Sequence, residues 1–424
     1  MFSPSSRRNL IGALSGNFLE YYDVTLYGFF SALLGPIFFP TQDPFVTSLL
    51  TLTAFAMGYL ARPFGGMFFG YLGDKFGRKK ALSLAVILVT IPTFAIGLMP
   101  TYEEIGIFAP LLVLLCRILQ GICTGGEYPG AAVFIAEHSG PRKKALLCSL
   151  VPASSLLGAI TGTLIGALFV QEAMPYWGWR IPFLVGGLLG LIAFILRRQI
   201  SETHVFETLS DATKSPNPIW NSFKSHTPLI LGTALIGAGT LVPFNLVMVY
   251  MSSFMEHKTL SFSASESLLM TSGLMALLMC FLPIWGALAQ KWGRQKMMIS
   301  ACVLTAVVAY PLFYLSHHAV SFSHLLIYKS ILVIISAGFV APTVSYFTDL
   351  FPPQNRYTAL GFSIALGEGV GGGTTPLIAT YLTHATQNPL SPSFYLIFSS
   401  LVSILGIVVI ARTVQKRHGS QQNL

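Results

Sequence analysis

Charge is what this sequence has least of. Of its 424 residues only 10% are Asp, Glu, Lys or Arg, against 53% of apolar type, and the mean hydropathy is +0.67. An ordinary soluble domain carries about 25% charge, so the composition excludes a soluble globular protein. So much apolar sequence with so few charges also excludes a disordered chain. Cysteine is scarce as well. Cys116, Cys123, Cys148, Cys280 and Cys302 sit in or beside apolar stretches, with no CxxC pair. That excludes a disulfide framework and a thiolate metal site. The histidines lie mostly in expected loops and pair into no metal site. There is no HExxH, no Ser/His/Asp set and no stretch long enough for a soluble catalytic domain, so an enzyme is not expected, and no cofactor is expected either. A cleavable leader is not expected: Met1 to Asn9 is short, polar and basic, and the first apolar stretch carries Glu20 and Asp23.

What is present is apolar sequence in span-sized pieces. Twelve stretches, at 10–36, 46–72, 81–99, 106–136, 145–170, 181–197, 228–254, 266–289, 297–315, 323–348, 358–382 and 393–411, have the length of transmembrane helices with varying tilt. Of the 25 Lys and Arg residues, all but five fall in segments on one side of this arrangement. The other side holds only Arg180 and Lys258, while Arg62, Arg117 and Lys329 fall within spans. By the positive-inside rule this predicts that both termini are cytoplasmic. It also accounts for the net charge of +9 by attraction to anionic membrane lipid, with no need of nucleic acid.

The sequence repeats itself across a polar, proline-bearing stretch. Gly70-Tyr-Leu-Gly-Asp74-Lys-Phe-Gly77-Arg78 after span 2 returns as Gly286-Ala-Leu-Ala-Gln290-Lys-Trp-Gly293-Arg294 after span 8. Arg142-Lys-Lys-Ala145-Leu146 returns as Arg356-Tyr-Thr-Ala359-Leu360. The expected organisation is therefore an N-terminal six-helix bundle over 1–199, a cytoplasmic linker over 200–227, and a C-terminal six-helix bundle with a short tail over 228–424. Duplicated halves of this kind mark secondary transporters, whose substrate site lies between the halves near mid-membrane.

The loop Gly70 to Lys80 resembles the signature of the major facilitator superfamily, and Arg117-Ile-Leu-Gln120-Gly121 is similar to that superfamily's second signature. More narrowly, Gly16-Asn17 through Glu20-Tyr-Tyr-Asp23, Arg62-Pro63-Phe-Gly65-Gly66, Gly125-Gly126-Glu127, Trp177-Gly178-Trp179-Arg180 and Glu202-Thr203 resemble the metabolite:proton symporters, which include proline/betaine and α-ketoglutarate permeases. The resemblance implies an all-α membrane protein of twelve helices in two pseudo-symmetric bundles. It also implies alternating access and proton-coupled uptake across a bacterial cytoplasmic membrane. Two departures stand out. Gln290 replaces the acid that Asp74 supplies in the first loop, and only twelve residues follow Arg412, with no heptads for the coiled coil of some osmosensing members.

Charges inside the membrane cost about 2.5–3.5 kcal/mol each on insertion scales, so each needs a reason. Asn17, Glu20, Asp23 and Tyr27 recur at helical spacing and predict one polar stripe on span 1. Two carboxylates three residues apart repel when both are ionised, and desolvation adds to this, which suits one of them to carry a proton. On span 4, Arg117, Gly121, Thr124 and Tyr128 share a face within about 40°, with Gln120 and Glu127 on its flank. Arg117 cannot shed its charge and calls for an acid, a substrate carboxylate, or each in turn; Glu20 and Asp23 are the expected partners.

The proton-coupling candidates are thus Glu20, Asp23, Arg117 and Glu127. The substrate-binding candidates are Asn17, Tyr27, Arg117, Gln120, Tyr128 and Lys329. Lys329, toward the outer end of span 10, could meet an anion or snorkel outward. Arg62 precedes Pro63, whose break frees carbonyls for its guanidinium. Glu368 sits among glycines in span 11 that allow close approach or unwinding. The family resemblance implies a gate in which Asp74, with Gly77 and Arg78, faces a helix N-terminus of the other half near Arg356.

The expected function is a proton-coupled secondary transporter importing a small polar metabolite, with zwitterionic amino acids or betaines favoured over di- and tricarboxylates. Its expected partners are that substrate, protons and membrane lipid, and a monomer is expected. A non-transporting membrane sensor is the reading from a different class.

Overall fold

The structure is a computed structural model describing residues 4–169, 174–209, 217–251 and 264–422. Among these residues all regular structure is helical. The first bundle comprises α1 (Pro4–Phe38), α2 (Pro44–Phe76), α3 (Arg78–Leu98), α4 (Phe108–His138), α5 (Leu150–Phe169) and α6 (Arg180–Arg198). The second comprises α7 (Pro218–Phe244), α8 (Ala264–Trp292), α9 (Arg294–His317), α10 (Phe322–Thr348), α11 (Arg356–Gly367), α12 (Thr375–Thr386) and α13 (Ser391–Gln422). A π-helical turn, Asn245–Tyr250, extends α7, and another, Glu368–Gly372, joins α11 to α12 within one span. Nine helical segments among the described residues are long and apolar enough to cross a bilayer.

Lipid offers no partner for backbone polar groups, so a spanning chain must satisfy them within its own helices. That constraint tolerates Pro63, Pro92, Pro129, Pro283 and Pro342 inside helices, where a soluble helix would break. Large apolar side chains face outward along single helix faces: Leu111, Leu115 and Leu119 on α4, and Leu188, Leu191 and Ile195 on α6 are all exposed. In water such faces would aggregate; here they meet acyl chains. The polar side chains turn inward, with Asn17, Glu20, Asp23, Arg62, Arg117 and Gln120 all buried.

The repeated loops fold alike. Gly77 (φ 113°) stands between α2 and α3, and Gly293 (φ 97°) between α8 and α9. A side chain at either position would be strained, which explains why glycine recurs in both copies. Two seams join the bundles, α2 against α11 and α5 against α8. The first is the tighter. A Cβ built on Gly66 would lie 2.3 Å from the Gly361 carbonyl oxygen, and one on Gly361 would lie 2.5 Å from that of Gly66.

The described parts of the expected linker over 200–227 are partly helical. A single helical turn, His204–Glu207, follows α6, and α7 begins at Pro218. Residues 210–216 of the expected linker, and Lys258, lie outside the described residues.

Candidate functional site

The polar stripe of α1 separates into members that face different neighbours. Glu20 Oε1 lies 3.3 Å from Arg62 Nη2 on α2, and Asp23 Oδ2 lies 3.7 Å from Arg117 Nη1 on α4. The Tyr27 ring lies beneath the Arg117 guanidinium at 4.3 Å, a cation–π contact. Arg117 Nη1 also donates to Gln120 Oε1 at 2.9 Å, and Gln120 Nε2 donates to Thr93 Oγ1 at 3.0 Å. Arg62 lies over the Tyr59 ring at 4.2 Å and donates through Nη1 to Glu368 Oε2 at 3.1 Å. Arg62, Arg117 and Gln120 line a small cavity together with Val24, Gly58, Tyr59, Gly121 and Thr124, and Glu20, Asp23 and Glu368 are paired to its two arginines.

Several atoms here are buried without a hydrogen-bond partner among the protein's own groups: both carboxylate oxygens of Glu20, both of Asp23, the Tyr27 hydroxyl and Arg117 Nε. Each such group costs roughly 1–3 kcal/mol, more when charged. A core built for stability alone would satisfy them. They cluster on the two arginines that line the cavity.

Of the residues expected to line the site, the structure brings together Glu20, Asp23, Tyr27, Arg117 and Gln120. Asn17 turns away toward α5, its Nδ2 lying 2.7 Å from the Val151 carbonyl and 2.8 Å from the hydroxyls of Ser154 and Ser155. Glu127 is held by Arg197, with Arg197 Nη1 on Glu127 Oε2 at 2.7 Å and Nη2 on Oε1. Arg197 also donates to the carbonyls of Gly12 and Ala13, so this pair fastens α1, α4 and α6 within the first bundle. Tyr128 packs in an apolar cluster with Leu82 and Ala131 and does not line the cavity. Lys329 is fully buried beside the Met270 sulfur at 3.9 Å, which corrects the snorkelling alternative. It too is absent from the cavity lining. Arg62 corrects a second expectation: its guanidinium pairs with two carboxylates rather than with carbonyls freed by Pro63.

At one end of the α2–α11 seam, Asp74 meets the N-terminus of α11. Its Oδ1 accepts from the Tyr357 amide at 3.1 Å, and its Oδ2 accepts from the Thr358 amide at 2.8 Å and hydroxyl at 2.7 Å. Arg78 Nη1 lies 3.3 Å from Asp74 Oδ1 and donates to the Gly73 carbonyl. Arg356 does not touch Asp74. It donates to Glu137 Oε1 at 2.9 Å, while Arg78 Nε donates to Glu137 Oε2 at 3.2 Å. Glu137, at the end of α4, is the bridge that sequence reasoning missed. The chain leaving α6 completes the cluster: Thr203 donates to Glu137 at 2.7 Å, Glu202 accepts from the Lys79 amide at 3.1 Å, and the Phe206 ring lies 5.1 Å from the Arg78 guanidinium.

The α5–α8 seam carries the corresponding arrangement. Gln290 Oε1 accepts from the Ala145 amide at 3.3 Å, and Asp349, just past α10, pairs with both Arg294 and Lys144. Partial burial acts to raise the Asp349 pKa, but the hydrogen bonds and charges of Lys144 and Arg294 outweigh it and hold the carboxyl below its ordinary value.

Two pseudo-equivalent helical bundles with a buried, ionisable cavity and paired charges where the bundles meet are the architecture of a secondary transporter. Comparison with known proteins agrees. Residues 14–316 and 244–423 match the model of the Major Facilitator Superfamily. Over 97% of its length the chain is 34% identical to a glycine betaine/proline/ectoine/pipecolic acid transporter of Dickeya dadantii (strain 3937), covering 84% of that protein. It is 33% identical to a proline/betaine transporter of Escherichia coli (strain K12), again over 97% of this chain and 84% of the relative. The fold matches a structure of the proton:xylose symporter XylE with a TM-score of 0.79 at 16% identity, over 96% of this chain and 95% of that one. The chain belongs to the major facilitator superfamily: it is a multi-pass membrane transporter and not an enzyme.

Proposed function

We propose that the protein is a proton-coupled importer of small zwitterions of the proline and betaine kind, working by alternating access as a monomer in a bacterial cytoplasmic membrane. The observation that carries this reading is the pair of buried arginine–carboxylate contacts, Arg117–Asp23 and Arg62–Glu20, around one cavity. Arg117 supplies a permanent cation for a substrate carboxylate. Carboxylates and the faces of Tyr27 and Tyr59 supply what an ammonium needs. When a substrate carboxylate takes Arg117 from Asp23, the released acid is favoured to take up a proton, because a buried carboxylate without a cation is costly. Substrate and proton would then cross together. The named substrates of the relatives in Dickeya dadantii and Escherichia coli are zwitterions of this size.

The positive-inside bias supports cytoplasmic termini and sets the Asp74 gate on the cytoplasmic side. Two bundles, 1–199 and 228–424, rocking about the central site with 200–227 as their connection, are the moving parts. The experiment is uptake into proteoliposomes under an imposed pH gradient, with proline, betaine, α-ketoglutarate and citrate compared side by side. Gradient-driven accumulation of the zwitterions alone is the expected result. Accumulation of the acids instead would shift the reading to carboxylates, and no uptake of any would favour a sensor. Within the same assay, Arg117→Lys keeps the charge but loses the planar fork, and uptake should fall at least tenfold in a normally inserted protein.

A further inference from the structure

The acid of the second bundle that reaches the cavity region, Glu368, belongs to no part of the reading above. It is the first residue of the π turn Glu368–Gly372, and it is 5% exposed. Its carboxylate lies 3.1 Å from Arg62 Nη1 while Glu20 holds the other side of the same guanidinium at 3.3 Å. Of the ion pairs described above that cross between bundles, Arg356–Glu137 and Lys144–Asp349 sit at helix ends. Arg62–Glu368 lies within the spans.

Two features show that the position of Glu368 is built. π turns carry one extra residue, which re-aims a side chain, and they are frequent at functional sites. Here the turn is tied to the other one: Asn245 Nδ2, from the π turn that extends α7, donates to the Gly372 carbonyl at 2.8 Å. The turn also lies directly against α2, where a Cβ on Gly369 would come within 3.1 Å of the Tyr59 carbonyl oxygen.

The charges then decide what the pair can exchange with. Among the described residues, Glu20, Asp23 and Glu368 are three acids paired with two cations, Arg62 and Arg117, while the next acid, Glu127, is held by Arg197, and the Glu20 oxygens have no hydrogen-bond partner beside the Arg62 ion pair. The cluster therefore has room for one more cation or proton. When the α2–α11 seam opens, Arg62 and Glu368 part, and a buried pair broken with nothing in its place is strongly unfavourable. Arg62 keeps Glu20, so the group left without a partner is Glu368, and a zwitterion brings a cation to it together with the carboxylate that Arg117 receives. A dicarboxylate would bring a second anion against Glu20 and Glu368.

We propose that the positive end of a zwitterionic substrate takes the place of Arg62 at Glu368 while its carboxylate lies on Arg117, so that Glu368 is the residue that selects for the positive end of the substrate. This rests on the zwitterion reading above and deepens it.

The test compares two competitors of the same shape for the purified full-length protein: glycine betaine, and 3,3-dimethylbutanoate, in which carbon replaces the charged nitrogen. Wild type should prefer betaine by at least a hundredfold in displacing labelled betaine. In Glu368→Gln this preference should shrink tenfold or more, with the affinity for 3,3-dimethylbutanoate unchanged or improved. Glu368→Asp keeps the charge and withdraws it by one methylene. It should shrink the preference severalfold, and it decides the matter if the Gln variant does not insert. A preference unchanged in Glu368→Asp or Glu368→Gln overturns the role of Glu368 while leaving zwitterion transport standing. Failure of wild type to bind betaine or proline at all overturns the underlying reading, and this inference with it.

Discussion

Across the α2–α11 seam Asp74 accepts three hydrogen bonds from the first residues of α11; across the α5–α8 seam Gln290, at the equivalent place in the repeat, accepts one, at 3.3 Å, from Ala145. Behind each stands an acid bridging two bases, Glu137 between Arg78 and Arg356, and Asp349 between Arg294 and Lys144. The duplicated frame is therefore intact on both sides, but the energies differ. Glu137 is buried and further held by Thr203, whereas the Asp349 side chain is 40% exposed, where solvent screens a salt bridge to little net value. Charge-assisted bonds to backbone amides contribute about 1.5–3 kcal/mol each, and a neutral one about 0.5–1.5. The α2–α11 seam is thus the more strongly held of the two, and under the proposed alternating access the two sides would open unequally.

The largest test of this difference is Asp74→Asn. It leaves the shape but removes the anion from the α11 N-terminus, and under the proposed orientation it should shift the population toward the inward-open state at least tenfold and slow uptake. Cysteine accessibility from each side, on a background with native cysteines removed, reads this directly; an unshifted population would reduce the loop to a topology signal. Gln290→Glu sharpens the comparison by restoring the missing charge. Ala145 lies in the first turn of a short helix, Lys144–Cys148, that precedes α5, and anions at a helix start are favoured by roughly 0.3–1 kcal/mol, so opening at the α5–α8 seam should become about two- to fivefold rarer in the same assay. Gln290→Ala removes two long neutral bonds of an exposed side chain, one accepted from the Ala145 amide and one donated to the Pro141 carbonyl, and should change accessibility by about twofold at most.

The smallest effect belongs to Asp349. Its folded-state pKa is held below the unfolded value by Lys144 and Arg294. Its contribution is therefore complete above the ordinary carboxylate value and lost only as pH falls through the depressed one. Accessibility at the α5–α8 seam should be flat between pH 7 and about 5. Asp349→Asn should shift it only slightly at pH 7. Any strong response of this seam to mild acid would place a second titrating group there.

The architecture was legible in the sequence because each of its signals is forced by the bilayer. Lipid demands apolar runs of fixed length, and the repeat of Asp74 and Gln290 in matching loops gives the two bundles. That Arg117 needs an acid of span 1 was legible for the same reason, since a charge in a span needs a countercharge, but Glu20 and Asp23 stayed alternatives: Asp23 faces Arg117, and Glu20 faces Arg62. The Asp74 contact with α11 was anticipated through the family resemblance, and its geometry agrees. What helical angle cannot supply is depth. Glu127 shares the flank of the Arg117 face, yet ten residues along a helix place it roughly 15 Å away, where Arg197 claims it. Pairings between bundles, such as Arg62 with Glu368 or Arg356 with Glu137, join residues far apart in sequence, and no local pattern marks them.

At Gly66 and Gly361 the two bundles meet backbone to backbone, with no side chain between them. Side chains can give way by changing rotamer; a peptide plane cannot. Such a contact has no soft mode through which to loosen gradually: it is either in register or parted. Under the proposed alternating access, this stretch of the seam would favour two positions over a gradual slide, and it would do so by the absence of atoms rather than by any group it holds.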